Sequence, residues 1–181
     1  MRNTLKFLLA LVISLLAMMA FRALVMTIYT VEGNGLSPVF LAGDHVMVNR
    51  WSYGLRTGSA DGLFSYGRLW RQDVEIGDYI AYEDPRDSTG QSVLFGRCSA
   101  LPGDTVRHEG RLMVVPSLQD CADCDYYWVQ ALGKSNPIDS RTLGFISERH
   151  VIGRAFLIVF SHDPMTTILD GWRSDRLLLL Q

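Results

Sequence analysis

The stretch Gly33-Asn34-Gly35-Leu36-Ser37-Pro38-Val39-Phe40-Leu41-Ala42-Gly43-Asp44, running on into His45-Val46-Met47-Val48-Asn49-Arg50, decides the fold class. Its first half carries Gly33, Gly35, Pro38 and Gly43, residue types that turn a chain and interrupt helices. Its second half is short, rich in β-branched residues and follows a Gly, which reads as a strand. Ile76-Gly77-Asp78-Tyr79-Ile80-Ala81-Tyr82, residues 104–108, Leu112-Met113-Val114-Val115 and residues 151–160 read the same way. Pro85, Gly90, Pro102-Gly103, Gly110 and Pro116 separate them. Several short strands divided by turn residues predict a mainly β domain. No internal repeat or low-complexity segment is visible.

Upstream the pattern changes. Arg2 and Lys6 precede an uncharged run from Phe7 to Phe21, and after Arg22 the apolar residues resume with Ala23-Leu24-Val25-Met26. A membrane-spanning helix needs about 20 such residues, and Lys6 and Arg22 are placed to snorkel at opposite faces. Residues 1–6 then form a cytoplasmic N-terminus, 7–26 a transmembrane anchor and 27–181 an outer domain, because a positive flank stays inside. The rival reading is a cleaved signal peptide, whose start looks alike. Ala20-Phe21-Arg22-Ala23 is a poor small-x-small cleavage site, which favours the retained anchor.

The 181 residues suffice for this short anchor and one domain with a real core. A net charge of −2 gives no electrostatic case for nucleic acid. Two insert-like loops stand out. Residues 52–72 mix Gly54, Gly58, Gly62 and Gly67 with Leu63, Phe64, Leu69 and Trp70, and read either as a loop dipping into the membrane surface or as a satellite cluster packed on the domain. Residues 119–136 hold Cys121-Ala122-Asp123-Cys124. Outside the cytoplasm this spacing favours a local disulfide over free thiols, and two thiols fall short of the four ligands of a zinc site. Neither a metal nor a cofactor is expected.

Five ordered segments point further. They are the opening stretch itself, Val48-Asn49-Arg50-Trp51-Ser52-Tyr53-Gly54, Gly77-Asp78-Tyr79-Ile80, Arg97-Cys98-Ser99-Ala100-Leu101-Pro102-Gly103-Asp104, and Ile138-Asp139-Ser140-Arg141-Thr142-Leu143-Gly144-Phe145. In order and spacing, behind an N-terminal anchor, they resemble the bacterial type I signal peptidases of the S26 serine peptidase family. The resemblance implies a β-barrel-like domain with one N-terminal transmembrane helix, on the outer face of the cytoplasmic membrane, working in protein export.

The resemblance also implies where the chemistry should be. The family's nucleophilic serine falls on Gly35, the serine that helps form its oxyanion hole on Gly33, the lysine base on Gly96 and the serine that orients the lysine on Pro137. Positions that look structural are kept: Gly43-Asp44, Asp104, Asp139, Arg141 and Gly144. Glycine supplies neither a nucleophile nor a base. Serine–lysine proteolysis needs a hydroxyl and a desolvated amine, and loss of the serine alone costs a serine protease roughly a millionfold in turnover.

The reading that follows is a catalytically inactive family member. It keeps a peptide cleft (Gly33, Asn34, Gly35, Leu36, Pro38, Phe95, Gly96) and binds extended signal-peptide-like segments backbone to backbone, or partners an active peptidase. Its further contact is membrane lipid. The alternative is a functional signal peptidase with a substitute nucleophile, Ser37. That hydroxyl lies about 6–7 Å along an extended segment from position 35 and would need His45 and Asp44 to fold back onto it. A third reading is a structural protein whose cleft is filled by side chains such as Leu36 and Phe95.

Overall fold

The apolar N-terminal run forms a helix, and most of the regular structure described after it is β-strand. The computed structural model describes residues 2–32, 36–58, 66–87, 92–120, 123–131, 133, 138–166 and 170–180. Helix α1 (Arg2–Leu24) leads through a turn at Val25 into β1 (Met26–Thr30). Side chains in α1 are described for residues 4–19 and 21, and the large apolar ones, from Leu5 to Phe21, are exposed. Among the described residues no helix is long and apolar enough to cross a membrane.

The strands that follow are β2 (Asp44–Asn49), β3 (Leu55–Thr57), β4 (Gly67–Leu69), β5 (Tyr79–Glu83), β6 (Val93–Ala100), β7 (Thr105–His108), β8 (Arg111–Val114), β9 (Tyr126–Gln130), β10 (Ile146–Ser147), β11 (Val151–Ser161) and β12 (Leu178–Leu179). The short α-helix α2 (Ser140–Leu143) precedes β10, and short 3-10 turns lie at Leu118–Asp120, Glu148–His150 and Ser174–Arg176. The main sheet runs β1-β2-β11-β5-β6-β9-β10, with β12 added on β11. All its pairings are antiparallel. Bulges in β11 on both sides of Leu157 and Ile158 help curl it. The result is a mainly β half-barrel; β1 ends the path on one side and β10 on the other. Hairpins β3–β4 and β7–β8 stand off it.

The core lies on both faces of β5, where Ile80, Ala81 and Tyr82 are buried in succession, and β6 buries Phe95 on one face and Cys98 and Ala100 on the other while Arg97 and Ser99 stay exposed. Ala81 and Phe95 face a cluster with Val31, Leu36, Phe40, Val46, Val48, Ile152, Ala155 and Ile158. Ile80, Tyr82 and Cys98 face a second cluster with Tyr53, Val74, Tyr127, Val129, Ile146 and Val151.

Both insert-like regions contribute to this frame. Residues 52–72 form the β3–β4 hairpin on either side of residues 59–65, which lie outside the described set. The hairpin is tied down by Tyr53 in the second cluster, by Arg56 on Glu83 at 2.8 Å and by Arg68 on Glu148 at 3.4 Å. Leu69 and Trp70 stay exposed. Residues 119–136, read from sequence as a loop, contain β9, which sits inside the sheet between β6 and β10. Its run Tyr126-Tyr127-Trp128-Val129 is aromatic and β-branched and is buried at Tyr127, Trp128 and Val129.

Candidate functional site

The turn after β1 is the natural starting point. Gly33, Asn34 and Gly35 lie outside the described residues. From Leu36 the chain makes one turn, with Phe40 N–H donating to the Leu36 carbonyl at 3.1 Å. Leu36 and Phe40 point into the first cluster, and the Phe40 ring lies 5.6 Å from Phe95 and 5.7 Å edge-on from Tyr79. Pro38 is exposed and Ser37 half-buried.

The Gly-Asp pair that closes the turn has a plain structural role. Gly43 sits at φ +88°, and a Cβ there would fall 1.8 Å from the His162 carbonyl oxygen, so only glycine fits. Asp44 is fully buried. Its carboxylate accepts from Leu41 N–H at 2.8 Å and from the Arg176 guanidinium at 2.7 and 3.2 Å. Arg176 also donates to the Val39 carbonyl at 2.7 Å, so the C-terminal segment fastens the turn. Asp44 and His45 point to opposite faces of β2. The His45 ring stacks on Phe160 at 3.9 Å and its Nδ1 lies 3.1 Å from Thr30 Oγ1. Burial lowers its pKa against the pull of Asp44. With Asp44 held by Arg176 and His45 by Phe160 and Thr30, the two do not meet as a charge pair serving Ser37.

Gly96 lies in the middle of β6, opposite the buried Ile80 and between buried Phe95 and exposed Arg97. A Cβ on Gly96 would come 2.5 Å from Val129 Cγ1 and 3.1 Å from the Gln130 carbonyl oxygen. The space at the root of a side chain here is already taken by Val129. That residue is held in turn from α2, where Val129 N–H donates to the buried Ser140 hydroxyl at 2.9 Å. Phe95, next to Gly96, points the other way, onto Phe40 and Leu36. Cys98, two residues on, is buried, and its thiol donates to the Ala100 carbonyl. Burial, and then the Asp78 carboxylate, push its pKa up to about 12, the reverse of a reactive cysteine.

Asp104, Asp139 and Gly144 serve the backbone turns around them. Asp104 caps the turn after β6 by accepting from Leu101 N–H at 2.8 Å. Asp139 is the N-cap of α2: it is fully buried and accepts from Arg141 N–H, Ala131 N–H and the Arg141 guanidinium at 2.9, 2.8 and 2.7 Å. Asp139 and Arg141, two residues apart, thus pair at a helix start. Gly144 ends that helix at φ +79°. Lys134 and Pro137 lie outside the described residues, as does Cys121. Cys124 carries a free thiol 3.0 Å from the Ser147 hydroxyl, where the sequence favoured a disulfide to Cys121.

The family described as signal peptidase, peptidase S26, fits residues 4–117, which is more than half of the chain. The chain belongs to this signal peptidase family. The matched stretch contains the Leu36–Asp44 turn, the Gly77-Asp78 strand entry and the Leu101-Pro102-Gly103-Asp104 turn, along with both glycine positions, 35 and 96. No curated protein matches the chain.

Two residues of the signal peptidase-like site escaped the sequence reading. Val129 fills the space beside Gly96, and Arg176 neutralises Asp44. Val129 had a signal in the aromatic and β-branched run around it, which marks a buried strand. Nothing in the sequence says which strand that run lies against.

Proposed function

We propose that this chain is a non-catalytic signal peptidase family protein of the export machinery, anchored in the cytoplasmic membrane by α1 with the β domain on the outer face. The observation that carries the loss of catalysis is the occupied space at Gly96. Where the family keeps its base, this chain has no side chain and no room for one beside Val129. The anchor rests on α1 itself. Its 23 residues would extend about 34 Å at 1.5 Å per residue, and its apolar side chains are exposed rather than packed on the domain.

The binding role rests on β1, which is paired on one side only among the described residues and begins directly where α1 ends. An extended exported segment can add to that edge through backbone hydrogen bonds alone, with no catalytic side chain. The filled core around Leu36 and Phe95 favours the competing structural reading, in which no peptide is taken up. Titration of the full chain in detergent with a fluorescent signal-peptide segment separates the two. Saturable binding that is lost when alternate peptide amides are N-methylated supports strand addition. Absence of binding, or binding indifferent to N-methylation, rules it out.

A further inference from the structure

We propose that the edge of β11 from Phe156 to Ile158 is a binding site for an extended peptide strand with an inward-facing leucine, and that the chain keeps this site closed with its own residues 178–180. The site lies apart from the β1 edge and stands whether or not β1 takes up a peptide. β11 pairs with β2 through Leu157 and Ile158, which occupies one side of that stretch. On the other side β5 pairs only as far as Arg154. β12 takes the place that β5 leaves, with Leu179 opposite Leu157 and Leu178 opposite Ile158.

The seat reads little beyond a strand. Leu180 N–H donates to the Phe156 carbonyl at 2.8 Å. The Leu180 side chain is half-buried against the cluster that contains Leu36, Phe40, Phe95 and Ile158. Leu179, next to it, is 67 % exposed. Recognition therefore consists of main-chain hydrogen bonds and one inward apolar side chain, the mode of strand addition. A strand of another polypeptide with leucine at that place meets both demands.

The strand that closes the site can leave without the segment before it. Arg173 donates to the Ala42 carbonyl at 3.1 Å and pairs with Asp163 at 3.0 Å, while Arg176 holds Asp44 and the Val39 carbonyl. These contacts grip the Leu36–Asp44 turn and do not involve β12. Only Leu177 separates this clamp from β12, and it is 67 % exposed. β12 is two residues long and, among the described residues, pairs with β11 alone. An element with so few contacts opens locally while the domain stays folded. Until it opens, its tether holds it at an effective concentration on the order of millimolar, which shuts out free peptide.

The probe is a fluorescein-labelled peptide with the sequence of residues 174–181, titrated against the full chain in detergent. Leu180→Asp sets a carboxylate against the apolar cluster and vacates the site, whereas Leu179→Asp changes an exposed side chain and leaves the site closed. The expected result is saturable binding to Leu180→Asp at least about tenfold tighter than to the parent or to Leu179→Asp. N-methylation of the probe at the Leu180 position should abolish that binding. At the Leu179 position it should not, because successive N–H groups of a strand point to opposite sides. Equal binding by Leu180→Asp and the parent, no binding by either, or indifference to the position of the methyl group overturns the proposal. Amide exchange in the parent supplies a check that needs no variant. Leu180 N–H should exchange well ahead of Val31 N–H, which donates to the Asp44 carbonyl at 2.8 Å. Exchange of both at one rate would mean that β12 opens only with the whole domain, and would overturn the proposal as well.

Discussion

Val129 Cγ1 sits 2.5 Å from the point where a Cβ on Gly96 would lie. The glycine that the proposed reading places at the base position is thus also a packing requirement: β9 presses against β6 there, and Ser140 holds β9 in place. Gly96→Ala should destabilise the full chain by about 1–3 kcal/mol, the usual cost of overpacking. That outweighs the roughly 0.5–1 kcal/mol that alanine gains over glycine in a strand. The corresponding fall in Tm is about 2–4 °C per kcal/mol for a chain of this size. In a Val129→Ala background the same substitution should cost little, a coupling that a double-mutant cycle measures. Equal stability of Gly96→Ala and the parent would show that the site is not filled.

Reconstruction of the dyad should fail for the same reason. Gly35→Ser/Gly96→Lys is expected to stay silent in a signal-peptide cleavage assay, because the lysine stem has no path past Val129. Adding Val129→Ala opens that path. Activity in the two-site variant alone would mean that β9 yields easily.

Asp44 and Arg176 should behave as a buried pair. Arg176→Ala leaves a carboxylate without its charged partner in the core, which typically costs about 3–5 kcal/mol. It also frees the Val39 carbonyl, which the same guanidinium holds. Asp44→Asn/Arg176→Met should lose less than Arg176→Ala, because no unpaired charge remains. Chemical denaturation of the three proteins checks the order.

Much of this frame is legible in the sequence. The turns at Gly43-Asp44 and Pro102-Gly103-Asp104 and the strands β2, β7, β8 and β11 announce themselves through glycine, proline and β-branched residues. Asp139 and Arg141 pair locally, two residues apart at the start of α2. What stays hidden is non-local. Arg176 reaches Asp44 across 132 residues. β9 was obscured by the turn-like flanks around Cys121 and Asn136, and its register against β6 depends on the whole sheet. A pattern along one strand cannot report what faces it from another.

Cys98 gives a pH prediction. Its pKa rises from 9.0 to about 12 on folding. The protonated thiol is the form that the core favours, so its contribution is complete below pH 9 and is lost as pH climbs through about 12. Tyr53, Tyr82 and Tyr127 are shifted upward by burial too and act in the same direction at higher pH. Cys98→Ala should therefore show a shallower fall in stability above pH 9 than the parent. Melting curves taken across the alkaline range test this, and parallel curves for the two proteins would contradict it.

The most direct test of the central claim is turnover of a fluorogenic signal-peptide substrate by the full chain in detergent, run beside Ser37→Ala. The predicted result is no cleavage above background in either protein. Cleavage by the unmodified chain that disappears in Ser37→Ala would contradict it, and would place a working nucleophile at Ser37, two residues beyond Gly35.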